Sequence, residues 1–267
     1  MNERDILVVD DEPVITQAVS KICASEGLSV DVAEQGAAGL EMLKKCSYRL
    51  IICDIMMTDV DGFQFLAEVA RRGLSTPVVM ATGYATVENA VRSLTCGASD
   101  FIAKPFTADE ILTVVRRGLK YCKLQKEAAA SATAGRHDSL PYVPCPPKYY
   151  RLGYVSWVKM EQAGTVLIGL NDLFLKTIET VAGIELAPVN DEVVQGNSCA
   201  AVASAAGDKH GVMCPVSGRI VEVNAAVRTD PAAVEKDPYF EGWLYRVVPT
   251  DLQADLKNLI SCSSDRM

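Results

Sequence analysis

Five side chains in the first 104 residues have types that together could transfer a phosphoryl group. Asp10 and Asp11 follow the apolar run ILVV, Asp54 closes LIIC, Thr82 closes VVMA, and Lys104 closes FIA. Three carboxylates in one cleft repel one another unless a cation sits among them, and hard oxygen ligands suit Mg2+. With a metal in place, the Asp54 carboxylate could attack a phosphoryl group. The metal and the Lys104 ammonium would then neutralise charge on the equatorial oxygens. Thr82 could donate a hydrogen bond to the new phosphoryl group. Pro105 follows Lys104, and a cis peptide there would aim the lysine inward.

These groups fall at strand ends. DILVVD, LSVDVAE, LIICD, TPVVMAT and DFIAKP each precede a stretch with helical periodicity, such as GFQFLAEVARR or ADEILTVVRRGLKYC. Five strand–helix units in series predict an α/β, doubly wound, five-stranded parallel sheet. In such a sheet ligands bind at the carboxyl ends of the strands, where the five side chains would converge. This first domain is read as residues 1–122. Residues 123–148 (KLQKEAAASATAGRHDSLPYVPCPPK), rich in Ala, Ser and Pro, read as a linker that extends the preceding helix and then runs extended. The remainder, 149–262, is a β-rich α+β domain. It opens with the hairpin YVSWVKME/GTVLIGL, turning at Gln162–Gly164, and closes with a helix in TDLQADLKNLI capped by Thr250.

Composition narrows the function. Of the 267 residues 49% are hydrophobic and 22% charged, and the net charge is -8. No basic stripe is present for a sequence-independent grip on nucleic acid. Apolar runs are broken by charge before they reach membrane-spanning length, and the amino terminus lacks a signal-peptide layout. A cytoplasmic protein is expected. The nine scattered cysteines include no CxxC, and there are two histidines, so no common zinc spacing occurs; reduced, partly core cysteines are expected. The run Met57-Thr58-Asp59-Val60-Asp61-Gly62 with Glu68 resembles a calcium loop. Methionine in its first ligand position and the early start of the next helix set it aside.

VVDDEP, LIICDIMMTDVDGFQFL, VVMATGYA and DFIAKPF, in that order, resemble the receiver domain of bacterial two-component response regulators over about residues 4–122. The resemblance implies Asp54 as phospho-acceptor. It implies Asp11, Asp54 and the Met56 carbonyl as Mg2+ ligands with Asp10 supporting the metal, and Thr82 and Phe101 as a switch pair. A sensor histidine kinase would be the partner. Thr58 stands where the family usually has proline. Met56 and Tyr84, two positions beyond Asp54 and Thr82, are bulky and would obstruct hydrolytic water, so a long-lived phosphoryl state is expected.

SWVKMEQAGTVLIGLND, GIELAPVNDEVVQGN, PVSGRIVEVNAAV and DPYFEGWLYRVVPTDL resemble the H protein of the glycine cleavage system, of the lipoyl-domain class. The fold implied is a barrel-sandwich hybrid with a lipoyl lysine at a hairpin tip, about eight residues before the proline of PVSG. Counting back from Pro215 gives Gly207. Lys209 is nearer the proline, on the returning arm. Ser204 takes the place of the usual acidic residue, and Val155 and Ser156 precede Trp157 where the family carries a histidine. Trp157 is expected in the core, and His210 and His137 in solvent.

Two readings follow. In the favoured one, Asp54 is phosphorylated and the signal passes, with dimerisation as one route, through a second domain that carries no lipoate and binds an unknown protein. The alternative is a lipoyl carrier with its cofactor on Lys209, its partner choice set by the receiver. In neither is the chain an enzyme beyond its own phosphotransfer and dephosphorylation.

Overall fold

The computed structural model describes residues 3–84, 86–133, 140–178 and 180–263; His137 lies outside them. The chain divides into two compact units, Met1–Pro141 and Tyr142–Met267.

In the first unit, β1 (Glu3–Val9), β2 (Val30–Ala33), β3 (Ser47–Asp54), β4 (Val78–Thr82) and β5 (Asp100–Ala103) alternate with α1 (Pro13–Ser25), α2 (Gly36–Lys45), α3 (Gly62–Arg71), α4 (Val87–Thr95) and α5 (Ala108–Thr133). All strand pairs are parallel, in the order β2-β1-β3-β4-β5. The central strands are apolar without a break because each face is covered. Leu7, Val9, Ile51 and Cys53 pack on one side with Phe65 of α3, while Ile6, Val8, Leu50 and Ile52 pack on the other with Val19 of α1 and Ile111 and Val115 of α5. Gly118 lets α5 close on the sheet, since a Cβ there would stand 2.6 Å from Leu50 Cδ1. A buried Arg117–Asp100 ion pair ties the same helix to β5.

The carboxylates of the calcium-like run serve helix ends. The Asp61 side chain accepts from the Gln64 N–H in a reciprocal capping box that starts α3. Asp59 accepts from the Gly36 and Ala37 N–H groups at 3.1 and 3.0 Å, neutralising the N-terminus of α2. α5 continues through the Ala-rich run to Thr133, as the strong helix propensity of Glu, Lys and Ala favours.

The second unit contains β6 (Tyr150–Leu152), β7 (Ser156–Met160), β8 (Val166–Leu170), α6 (Asp172–Thr177), β9 (Val181–Leu186), β10 (Glu192–Val193), β11 (Ser198–Ser204), β12 (Lys209–Met213), β13 (Gly218–Val223), α7 (Ala225–Thr229), α8 (Ala233–Lys236), β14 (Trp243–Pro249), α9 (Leu252–Leu256) and β15 (Ile260–Ser261). A seven-stranded sheet, β10-β13-β14-β8-β7-β6-β15, packs with a three-stranded sheet, β12-β11-β9. The Tyr245 hydroxyl links them, donating to the Cys199 carbonyl at 2.7 Å and accepting from the Ala187 N–H at 2.9 Å. Trp157 is fully buried, and its indole N–H is shared between the Leu170 and Pro238 carbonyls. Its ring occupies the place a side chain at Gly169 would take. Ser156, in the segment where a histidine is usual, donates to the Met213 carbonyl at 2.7 Å.

Two expectations are corrected. The final helix is capped by Asp251, which accepts from the Ala254 N–H, while the Thr250 N–H bonds the Ser217 carbonyl; the helix spans five residues. His210 is buried, not solvated. It points inward from β12 and stands edge-on to Phe174, ring centroids 6.5 Å apart.

Candidate functional site

The carboxyl ends of β1, β3, β4 and β5 form the site in the first unit. Strand register sets the spacing: Val9 stands beside Cys53, Asp54 beside Ala81, and Thr82 beside Ala103. Each functional residue is therefore the last of its strand or one to two positions beyond it. Asp10 and Asp54 are 2% and 3% exposed, Thr82 is fully buried, and Asp11 is half-buried. Carboxylate oxygens of Asp10, Asp11 and Asp54 lie within 4.8 Å of one another.

Lys104 enters this cluster from β5, across a cis Lys104–Pro105 bond. Its ammonium reaches Asp10 Oδ2 at 2.7 Å, Asp54 Oδ1 at 2.9 Å and Glu12 Oε1 at 3.0 Å. Burial alone would lower the Lys104 pKa; the bonds to Asp10, Asp54 and Glu12 outweigh it and raise it. Burial raises the Asp10 carboxyl, against the pull of the Lys104 ammonium and the Glu12 N–H. The second oxygen of Asp54 is also fixed, since Oδ2 accepts from the Met56 N–H at 2.8 Å. Thr82 Oγ1 accepts from the Tyr84 N–H at 3.1 Å, which leaves its own proton to donate.

The structure brings Asp10, Asp11, Asp54 and Lys104 into one cluster, with Thr82 on the adjoining strand end. Phe101 is placed differently: three residues before Lys104, beside Met80, half-buried and packed on the core below the site. Met56 and Tyr84 are 58% and 70% exposed at the ends of the two flanking loops. Glu12, the third acidic partner of Lys104, was missed by the sequence reading; its place directly after the Asp pair was the available signal. The oxygen-only donor set fits a hard divalent cation.

In the second unit, β11 and β12 form the hairpin whose tip is in question. Ala203 pairs with Lys209 and Val202 with His210. The Ser204 N–H donates to the Asp208 carbonyl at 2.9 Å, closing the ladder. Ala205, Ala206 and Gly207 are the exposed apex. Gly207 has φ +92°, and a Cβ built on it would meet nothing within 4 Å. Lys209 lies on the returning arm, its ammonium 2.7 Å from Glu185 Oε1 of β9.

Comparison with known proteins divides at the same place. The response regulator receiver domain family matches residues 6–116, and the glycine cleavage H-protein family matches residues 148–265. Regulatory protein AtoC of Escherichia coli (strain K12) is 36% identical over 122 residues, which are 46% of this chain and 26% of AtoC. The chain thus spans about a quarter of the length of that relative. The receiver domain of NtrX from Brucella abortus is 38% identical, covers 43% of this chain and 98% of its own, and superposes with a TM-score of 0.42. A glycine cleavage system H protein from Mycobacterium marinum is 30% identical, with coverage of 45% and 94% and a TM-score of 0.40. The chain therefore belongs to two families in series, the response regulator receivers through residues 6–116 and the glycine cleavage H-proteins through residues 148–265.

Proposed function

We propose that this protein is a two-component response regulator that accepts a phosphoryl group on Asp54 from a sensor histidine kinase and signals through an H-protein-like unit carrying no lipoate. The observation that carries the first half is the position of Lys104, whose ammonium spans Asp10 and Asp54 at 2.7 and 2.9 Å. Residues Asp10, Asp11 and Asp54, with the Met56 carbonyl, would hold Mg2+, which when bound neutralises charge on phosphoryl oxygens. Asp54 attacks phosphorus through one carboxylate oxygen; the bond to the donor's imidazole nitrogen breaks, and an acyl phosphate forms. Lys104 moves from bridging two carboxylates to pairing with the new dianion. Thr82 donates its free hydroxyl proton to the phosphoryl group, and Phe101 repacks beside it, so that the core under β5 acts as the bistable element.

The hairpin supports the second half. The position that family spacing assigns to the lysine is Gly207, and Lys209 is two residues along the returning arm. An arm that must visit other active sites has to leave from an exposed apex. A domain that lacks this arm and keeps its fold is suited to docking a protein.

The test is the intact mass of the full chain after treatment with a small acyl phosphate and Mg2+. The wild type should gain one phosphoryl group and Asp54→Asn none; a wild type that gains none refutes the first half. For the second half, the protein is taken from its native host and its 202–217 peptide is weighed. An unmodified Lys209 in cells whose H protein is lipoylated supports docking. A lipoyl adduct on Lys209 establishes the carrier reading instead.

A further inference from the structure

We propose that Cys145 and Cys262 are a redox-reversible dithiol that closes the second unit into a covalent loop. The two thiols come from opposite ends of that unit. Cys145 stands in the run that leads into β6, and Cys262 directly follows β15. Backbone bonds hold both segments. Arg151 pairs with Ile260 and Tyr150 with Ser261, the Cys262 N–H donates to the Tyr149 carbonyl at 3.0 Å, and the Tyr149 N–H donates to the Pro146 carbonyl at 3.2 Å. The sulfur atoms are 2.8 Å apart. A cysteine that merely fills the core packs on hydrocarbon and aromatic rings. This pair also lies against Tyr149, Trp157 and Tyr239, but the Cys262 thiol in addition stands within bonding reach of the Cys145 sulfur.

The reaction needs an oxidant, and the chemical class that fits is a small linear disulfide. Cys145, 7% exposed against 1% for Cys262, is the thiol open to exchange. Its sulfur displaces one half of the small disulfide as a thiol, giving a mixed disulfide. The Cys262 sulfur then displaces the second half, and the Cys145–Cys262 bond forms. Two electrons pass from the protein sulfurs to the oxidant, and both protein protons leave on the two small thiols. Access comes from local opening of β15, which is two residues long and pairs with β6 at two positions. Once formed, the bond fastens the entry and exit segments of the unit to each other and constrains its unfolded state.

The experiment uses the reduced full chain, titrated with oxidised glutathione, free thiols blocked in denaturant and peptides mapped. The expected result is a Cys145–Cys262 cross-link as the first internal disulfide, absent in Cys145→Ser and Cys262→Ser, with glutathione trapped on Cys145 in Cys262→Ser. The oxidised wild type should unfold at higher temperature when followed by tryptophan fluorescence, because Trp157 and Trp243 both lie in this unit, and a dithiol reductant should reverse the shift. Thiols at 145 and 262 that stay free while Cys96 is glutathionylated overturn the proposal. So does a first cross-link between Cys199 and Cys214, which also touch. The wild-type map decides the matter even where a serine variant does not fold.

Discussion

Replacing Lys104 with alanine tests the charge balance of the acidic site. Asp10 and Asp54 retain 3% and 4% of their side-chain exposure. The variant strands two nearly desolvated carboxylates beside each other. Removing one partner of a buried ion pair costs about 3–5 kcal/mol. The lost contact with exposed Glu12 adds about 0–1 kcal/mol. Asp11 opens the cluster toward solvent, which places the expected loss near the lower bound, about 3 kcal/mol. For a unit of this size 1 kcal/mol moves the melting temperature by roughly 3–5 °C, so unfolding should begin about 10 °C lower in chelator. Mg2+ should restore most of the difference, because a cation replaces the ammonium; saturation at 100 Kd contributes about 2.7 kcal/mol. The sign with pH follows. Burial raises the Asp10 carboxyl, and in the variant the opposing ammonium is gone, so the deficit is full above that raised value and shrinks as pH falls through it. In the wild type, the raised Lys104 pKa makes its contribution complete below the ordinary lysine value and lost as pH climbs through the raised one. Thermal unfolding followed by far-UV circular dichroism reports both units, and tryptophan fluorescence only the second. The reasoning is refuted if Lys104→Ala in chelator melts with the wild type, or if Mg2+ stabilises both equally.

Met56 and Tyr84, bulky residues two positions beyond Asp54 and Thr82, are expected to obstruct hydrolytic water, so Met56→Asn and Tyr84→Asn should each shorten the life of the acyl phosphate severalfold; decay rates measured by loss of the phosphoryl mass check this, and unchanged rates would remove the obstruction argument. Tyr245→Phe leaves the buried Cys199 carbonyl and the Ala187 N–H without their hydroxyl partner, and should cost about 1–3 kcal/mol in urea unfolding of the second unit. Gly242→Ala would place a Cβ 2.7 Å from the Asp237 carbonyl oxygen and 2.8 Å from Val234 Cα, with an expected loss of about 1–3 kcal/mol by the same assay. Cys96 is exposed while Cys23 is buried with its thiol pushed up to about 11, so thiol labelling of the reduced native chain at pH 8 should mark Cys96 first and Cys23 only after unfolding.

The receiver unit was readable because its strands are buried on both faces. Continuous apolar runs such as ILVV and LIIC then end abruptly at polar residues, and that abruptness marks the site. What the runs do not carry is partnership across the sheet. Glu12 reaches Lys104 over 92 positions, and Asp59 serves a helix start more than twenty residues before it; each reads locally as a turn or loop carboxylate. Thr250 and Asp251 are both good caps, and only the pairing of Thr250 with Ser217 decides between them. His210 was misplaced because its neighbours Asp208, Lys209 and Gly211 are loop-like in type. The signal lay in alternation: Val202 opposite, then His210 and Val212 inward with Lys209 and Gly211 outward.

That alternation also bears on where a lipoyl arm could start. Three apex residues with glycine last, in the left-handed region, are a usual hairpin connection. At Gly207 the space is open but the backbone, at φ +92°, is one that side chains of L-residues rarely adopt. The position where family spacing calls for lysine is thus shaped for a residue without a side chain. Bringing Lys209 to the apex instead requires the strand to slip. A one-residue slip would turn His210 and Val212 outward, since side chains alternate along a strand. A two-residue slip would carry His210 into the turn and away from Phe174. Both withdraw a buried imidazole from its aromatic partner. The Lys209–Glu185 pair, exposed at both ends, adds little to this. His210 is what pins the register, and a pinned register keeps Lys209 on the flank of the hairpin, where an acyl arm would start from the sheet's side and lose reach.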